Sequence, residues 1–199
     1  ENDVIVAEAD EFDRSFLQLF PEIAVITSMD ADHLDIYGDA QHVTEAFKAF
    51  ASQVSGSVIV KHGLDITAED TKAKIYTYAF ADDKADFYAE PLEDGHFNIR
   101  YPGGVIEDCV LGIPGWVNVE NAVAAVASMW CAAKRRGESL DLDKLRKGLR
   151  EYQGVKRRFE FYANTPRQVY MDDYAHHPEE LEATITSVRK MFPGRKLTA

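Results

Sequence analysis

The chain has 199 residues, 46% of them hydrophobic and 28% charged, enough for one core or for one domain with part of another. Its 22 Lys and Arg against 34 Asp and Glu leave a formal charge of -12, which would repel a phosphate backbone and argues against nucleic acid or an anionic membrane as partner. No apolar run approaches the roughly 18 residues of a membrane span, and Cys109 and Cys131 lack the spacing of a disulfide framework or a zinc-thiolate site, which fits a reducing cytoplasm.

The sequence opens on Glu1-Asn2-Asp3 without an initiator Met and runs directly into an apolar segment, which reads as a cut end. Residues 4–7 and 23–27 are short β-branched runs followed by acidic residues, as buried parallel strands ending in polar loops would be. From Asp39 the period changes: Val43, Ala46, Phe47, Phe50 and Val54 recur at helical spacing until Ser55-Gly56, and residues 57–61 form a further strand. Between residues 74 and 111, four alternating segments (75–80, 86–89, 97–101 and 105–111) are separated by Asp82-Asp83, Asp94-Gly95 and Pro102-Gly103-Gly104, the pattern of an antiparallel meander.

A long helix is expected over residues 118–136. Val119, Ala122, Val123, Val126, Met129, Trp130 and Ala133 make one face, and Lys134-Arg135-Arg136-Gly137 closes it with cations and a glycine. A second amphipathic helix over residues 142–152 leads into a basic turn, Lys156-Arg157-Arg158, with strands resuming at 159–162 and 168–171 and a domain boundary near Gly154. The last helix starts at Pro178, a favoured first-turn residue, with Leu181, Ile185, Val188 and Met191 inward, and residues 197–199 read as the opening of another strand.

Four clusters could carry chemistry. Glu8, Asp10, Glu11 and Asp13 follow the first strand, and Asp30, Asp32, His33 and Asp35 follow the second. Like charges packed at one strand end repel and raise one another's pKa, a strain that a divalent cation relieves; an exposed acidic loop is the plainer alternative. Mg²⁺ takes oxygen ligands in an octahedral shell, so His33 would be an unusual partner for it. In the turn Gly112 to Val117 and the helix start after it, Asn118 suits an N-cap, while the Asn121 amide offers a donor and an acceptor that match the edge of adenine. The fourth cluster combines Lys156-Arg157-Arg158 with Asp172-Asp173-Tyr174-Ala175-His176-His177-Pro178. Guanidinium groups clamp phosphate oxygens and a strand-end aspartate accepts from ribose hydroxyls, although a basic turn and a solvated His pair would look the same.

Together the strings AEADEFDRSFL, VITSMDADHLDIYGD, IPGWVNVENAVAA, GVKRRFE and DDYAHHPEE resemble, in order and spacing, the Mur ligase family, over nearly the whole chain. The resemblance implies an α/β fold: a mostly parallel sheet of a central ATPase domain with a small antiparallel meander over 1–154, then the opening of a Rossmann-like C-terminal domain over 155–199. It also implies activation of a carboxylate by ATP to an acyl phosphate, which an amine attacks to give an amide. The likeness is strongest to the alanine-adding branch, whose substrates are UDP-N-acetylmuramate and L-alanine. By the same resemblance, Glu8 and His33 would ligate Mg²⁺, and Asn121 with Asn118 would hold adenine. Arg158 would reach the ATP phosphates, Asp173 the ribose, and Tyr174 and His176 the incoming amino acid.

Two departures stand against this pattern. Val117 occupies a position where the family usually has His, and no Gly-x-x-Gly-Lys-Thr/Ser phosphate loop occurs in the 199 residues, so the polypeptide alone is expected to be inactive. Within the family the alternatives are the ligase that recycles a tripeptide and the later ligases, which carry a carbamylated lysine that has no counterpart here. Outside catalysis the alternative is a nucleotide-binding module.

Overall fold

A computed structural model describes residues 4–30, 34–176 and 178–199. The contacts divide the chain into two units, residues 1–78 with 127–138, and residues 79–126 with 139–199. In the first unit a 3-10 turn, Phe12–Gln18, precedes strand β1 (Ile23–Ile26), the short helix α1 (Leu34–Tyr37), helix α2 (Ala40–Ser52), strand β2 (Ser57–Lys61) and most of strand β3 (Lys74–Phe80). β1, β2 and β3 pair in parallel, Ile23 opposite Ser57 and Ser57 opposite Lys74.

The meander, the first half of α3 and everything after residue 138 form the second unit. Its strands β4 (Phe87–Pro91), β5 (Phe97–Tyr101) and β6 (Gly104–Cys109) are antiparallel and lie in sequence order. Helices α3 (Trp116–Arg135) and α4 (Leu142–Glu151) follow, then the antiparallel pair β7 (Glu160–Asn164) and β8 (Val169–Asp172), and helix α5 (Pro178–Met191). The expected α/β architecture, with parallel strands and a small antiparallel meander, is therefore present.

α2 forms because its apolar positions share one face and because Asp39, in extended conformation, accepts from the His42 amide and caps the first turn. Val43, Ala46, Phe50 and Ala51 are buried in one cluster with Ala24 and Ile26 of β1, Val58 and Val60 of β2, and Phe16. Full burial of such a side chain stabilises by about 1.5–3 kcal/mol, which makes this cluster the anchor of the first unit. Phe16 stands edge-on to Phe47 at 5.3 Å and tilted against Phe50 at 5.1 Å, so the acidic segment ahead of it is tied to the core.

Five expectations need correction. Residues 4–7 form no strand: Ile5 and Val6 are each 93% exposed. β-branched residues extend readily, but a strand exists only where another pairs with it, and none of the described strands does. Residues 197–199 likewise form none. Asn118 is not an N-cap, because α3 begins two residues earlier, after Gly115 at φ +103. Met129 is 52% exposed and Leu181 43% exposed, whereas Ser187 is buried in α5. The rest of the expected inward face of α3 holds at Ala122, Val123, Val126 and Ala133, which are buried, and Ala124 and Ala127 join them. The Met129 side chain projects into solvent.

Both cysteines are free and buried. Among the described residues no helix is long and apolar enough to cross a membrane.

Candidate functional site

In the first unit the segment that carries Glu11 is tied to Tyr37 of α1. The Tyr37 hydroxyl donates to the Glu11 carbonyl at 2.6 Å, and the Arg14 guanidinium sits 5.0 Å over the Tyr37 ring. Tyr37 is only 3% exposed, and this burial raises its pKa while Arg14 pulls the other way. Ala9 within the first acidic run, and Met29 and Ile36 on either side of the second, pack against the hydrophobic cluster of this unit. The turn that closes the first run is strained, since Asp13 and Arg14 both sit at positive φ, 55 and 57, where L side chains crowd the backbone. The Phe16 amide holds it by donating to the Asp10 carbonyl at 3.0 Å.

Glu8 is exposed within the irregular segment ahead of this turn. His33 lies outside the described residues, as do Ala31 and Asp32. Among the described residues no group of three or more His, Cys, Asp or Glu side chains gathers as metal ligands would.

The other candidates belong to the second unit. Gly115 turns the chain into α3, and the Asn118 side-chain amide donates back to the Pro114 carbonyl at 2.5 Å, closing that turn from inside the helix. A Cβ on Gly115 would lie 3.3 Å from the Asn118 amide nitrogen and 3.5 Å from the Phe159 ring, so this glycine lets the turn, the asparagine and the aromatic ring pack together. Asn121, one turn further, is exposed.

Phe159 carries the arrangement onward. It is buried, and its amide donates to Asp173 Oδ2 at 2.9 Å. The other oxygen of Asp173 accepts from the Ala175 amide at 2.9 Å and lies 3.4 Å from the Thr184 hydroxyl. The carboxylate thereby joins the basic turn, the loop after β8 and α5.

Arg158 is flanked by two residues in the left-handed region, Arg157 at φ 59 and Phe159 at φ 50. Such conformations cost about 1–3 kcal/mol each and persist only where the surroundings enforce them. Here the enforcers are the Asp173 bond to Phe159 and a 2.8 Å bond from the Arg157 amide to Glu160. Arg157 lies 4.7 Å over the Tyr174 ring and Arg158 5.9 Å over it, and the Tyr174 amide donates to the Arg157 carbonyl at 2.7 Å. The His176 ring stands 5.2 Å from that of Tyr174, with Nδ1 3.1 Å from the Tyr174 carbonyl.

Thus Arg158, Asp173, Tyr174 and His176, 18 positions apart in sequence from first to last, form one partly exposed cluster, and Phe159 links it to the Gly115 turn and Asn118. The cluster offers guanidinium groups, an aromatic face and an imidazole joined through Asp173 to a buried phenylalanine, which suits a polyanion with a planar or polar attachment.

Sequence reasoning did not single out Tyr37, Phe159 or Glu180. Glu180 pairs with Arg158 at 3.5 Å, and its position four residues after His176, in the first turn of α5, is a capping-type spacing visible in HHPEE. Tyr37 and Phe159 act through long-range partners that no local pattern reveals.

Comparison with known proteins adds an independent line. A family described as Mur ligase middle domain matches residues 1–129, and one described as Mur ligase, glutamate ligase domain matches residues 157–199. The chain is 42% identical over 204 aligned positions to the UDP-N-acetylmuramate--L-alanine ligase of Porphyromonas gingivalis strain W83, covering 99% of this chain and 43% of that protein. It is 43% identical to the enzyme of the same name from Parabacteroides distasonis, with the same coverage. The chain therefore spans less than half the length of these curated relatives.

Among solved structures it superposes on MurF from Acinetobacter baumannii with a TM-score of 0.69 at 26% identity, covering 87% of this chain and 39% of that one. It also superposes on UDP-N-acetylmuramate-alanine ligase from Thermotoga maritima, with a TM-score of 0.69 at 23% identity, covering 92% and 41%; at that identity the likeness speaks to fold alone.

Proposed function

The chain belongs to the Mur ligase family, and on that premise we propose that its parent protein joins L-alanine to the carboxylate of UDP-N-acetylmuramate at the expense of ATP in the cytoplasm. In this reading residues 1–154 belong to the central ATP-binding domain and 155–199 open the C-terminal domain. Support for the alanine-adding branch comes from the relatives of that name, 42–43% identical along the whole chain.

The observation that carries the chemistry is the cluster around Phe159. Transfer of a phosphoryl group to an anionic carboxylate brings two negative partners together, so donors must be fixed in advance where charge accumulates. Arg158, held between two strained residues, is such a donor and would meet the ATP phosphates. Asn118 and Asn121 would face the adenine, with the Asn118 amide already turned toward the Gly115 loop. Asp173 would meet the ribose while keeping its two backbone amides, and Tyr174 and His176 would orient the incoming amine. Attack of that amine on the acyl phosphate forms the amide and releases phosphate.

Glu8 is a solvent-facing oxygen donor of the type Mg²⁺ takes, and the ion commonly binds through one or two carboxylates plus phosphate oxygens and water. Glu8 and His33 would hold it, and when bound it would neutralise charge on the phosphates.

The test is a chimera. This segment replaces its counterpart in the Porphyromonas gingivalis relative, and phosphate release is measured with ATP, UDP-N-acetylmuramate and each amino acid or a tripeptide in turn. Release dependent on L-alanine is the expected result. Release only with the tripeptide would favour the recycling ligase, and none with any amine, from a folded chimera, would leave a nucleotide-binding module.

A further inference from the structure

Glu180 forms an ion pair with Arg158 and also engages His176. One oxygen lies 3.5 Å from Arg158 Nη1. The other accepts from the His176 amide at 3.2 Å and stands 3.6 Å from His176 Nδ1. We propose that Glu180 is an internal stand-in for the anion: its carboxylate occupies the face of Arg158 that a phosphate oxygen takes, and it is displaced when a polyphosphate arrives. The inference rests on the nucleotide reading above, since it supposes that Arg158 receives phosphate, and goes beyond it by naming the group that phosphate must compete with.

The geometry favours exchange over a permanent bridge. At 3.5 and 3.6 Å the two contacts are longer than a charge-assisted hydrogen bond, which closes to about 2.7–2.9 Å. The side chains are open to water, Arg158 46% and Glu180 39% exposed, so solvent screens the pair and little is lost when it opens. Arg158 is at the same time kept from collapsing elsewhere: Arg157 and Phe159 fix its backbone, and the Tyr174 ring lies beneath it. A carboxylate that satisfies an oriented guanidinium without gripping it prevents wasteful pairing and imposes a modest, uniform penalty on every incoming anion. Its second oxygen has a separate duty at the start of α5, through the His176 amide, which explains why the residue is held at this place.

Glu180→Gln separates the two roles, since the amide oxygen still accepts from His176 while the charge facing Arg158 is gone. Sodium tripolyphosphate is titrated into the 199-residue chain at low salt, with binding read by two-dimensional NMR, including the Arg158 Nε–H signal. Release of one exposed ion pair should tighten binding by about two- to five-fold and move the Arg158 signal even before ligand is added. Glu182→Gln, on the same helix, controls for the change in net charge and should tighten binding distinctly less. In an Arg158→Ala background the gain from Glu180→Gln should vanish.

Equal or weaker binding by Glu180→Gln, or a gain that survives in the Arg158→Ala background, overturns the stand-in role. If Arg158→Ala loses binding but Glu180→Gln leaves it unmoved, the stand-in fails while the nucleotide reading survives. If neither the parent chain nor any variant binds tripolyphosphate, both fail.

Discussion

Gly112 joins the meander to the turn that enters α3, and a side chain there has nowhere to go. A Cβ at this position would lie 2.2 Å from the Tyr152 carbonyl oxygen and 2.6 Å from that of Arg150. Both are backbone atoms at the end of α4, so no rotamer change relieves the clash. Relief requires the two segments to part by the better part of an ångström, which stretches the 2.9 Å bond from the Gly112 amide to the Leu149 carbonyl. Overpacking of this kind costs about 1–3 kcal/mol, and loss of one backbone hydrogen bond about 0.5–1.5 kcal/mol. Reduced freedom of the unfolded chain returns about 0.4–1 kcal/mol. Gly112→Ala should therefore destabilise by about 2–3 kcal/mol, or lower the Tm by roughly 5–10 °C for a chain of this size. Gly148→Ala is the matched control within α4, because a Cβ there meets nothing within 4 Å. It should stabilise by about 0.5–1 kcal/mol. Calorimetric melting of the three proteins decides the matter: a Tm for Gly112→Ala within a degree of the parent would show that the end of α4 does not press on this glycine.

Tyr37→Phe removes the hydroxyl that reaches the Glu11 carbonyl and should lower stability by about 1 kcal/mol in urea unfolding with an unchanged m-value; no change in midpoint would mean that the Glu11 segment is not tied to α1 through it. Burial pushes the Cys109 thiol up to about 11 and raises that of Cys131, so both should resist iodoacetamide at pH 8 until the chain is unfolded. Because the folded pKa lies above the unfolded one, the protonated thiol's contribution to stability is complete below about pH 9 and is lost as the pH climbs toward 11; a melting temperature flat from pH 8 to 11 contradicts this. In the chimera described above, Glu8→Ala should abolish Mg²⁺-dependent phosphate release and leave the circular dichroism spectrum intact, and parental rates in that variant would remove Glu8 from the metal site.

What could be read from the sequence is what is decided locally. The α2 helix declared itself through Asp39 and four apolar residues on one face, and β2 matches its expected span of residues 57–61 because both of its ends are marked by a change of period. Residues 4–7 had the same β-branched character as β2, yet a strand is a property of a pair, and lateral pairing is not encoded in a single segment. The start of α3 was misplaced for a related reason. Asn118 is a good cap by type, but the positive φ at Gly115 lets the helix begin earlier, and the asparagine then donates back to Pro114 instead of accepting from the first turn.

The candidate site shows the same division, and it explains why its chemistry was more legible than its construction. Charges, amides and aromatic rings announce themselves one residue at a time, so the runs Lys156-Arg157-Arg158 and Asp172 to Pro178 stand out by residue type, while the choice of Arg158, Asp173, Tyr174 and His176 within them comes from the family resemblance. How they are held could not be read in that way. Asp173 is marked as an acceptor by its place after a strand, but nothing local shows that it spends its two oxygens on the amides of Phe159 and Ala175. That use has a consequence for function. An aspartate already fixed by two amides cannot swing to follow a ligand, so in the proposed reading a ribose hydroxyl would have to come to it. The strained backbone on either side of Arg158 points the same way, since strain is tolerated only where the geometry it enforces would otherwise relax. The guanidinium beyond that fixed backbone stays open to water, and its 3.5 Å contact with Glu180 is the one a polyphosphate would have to replace.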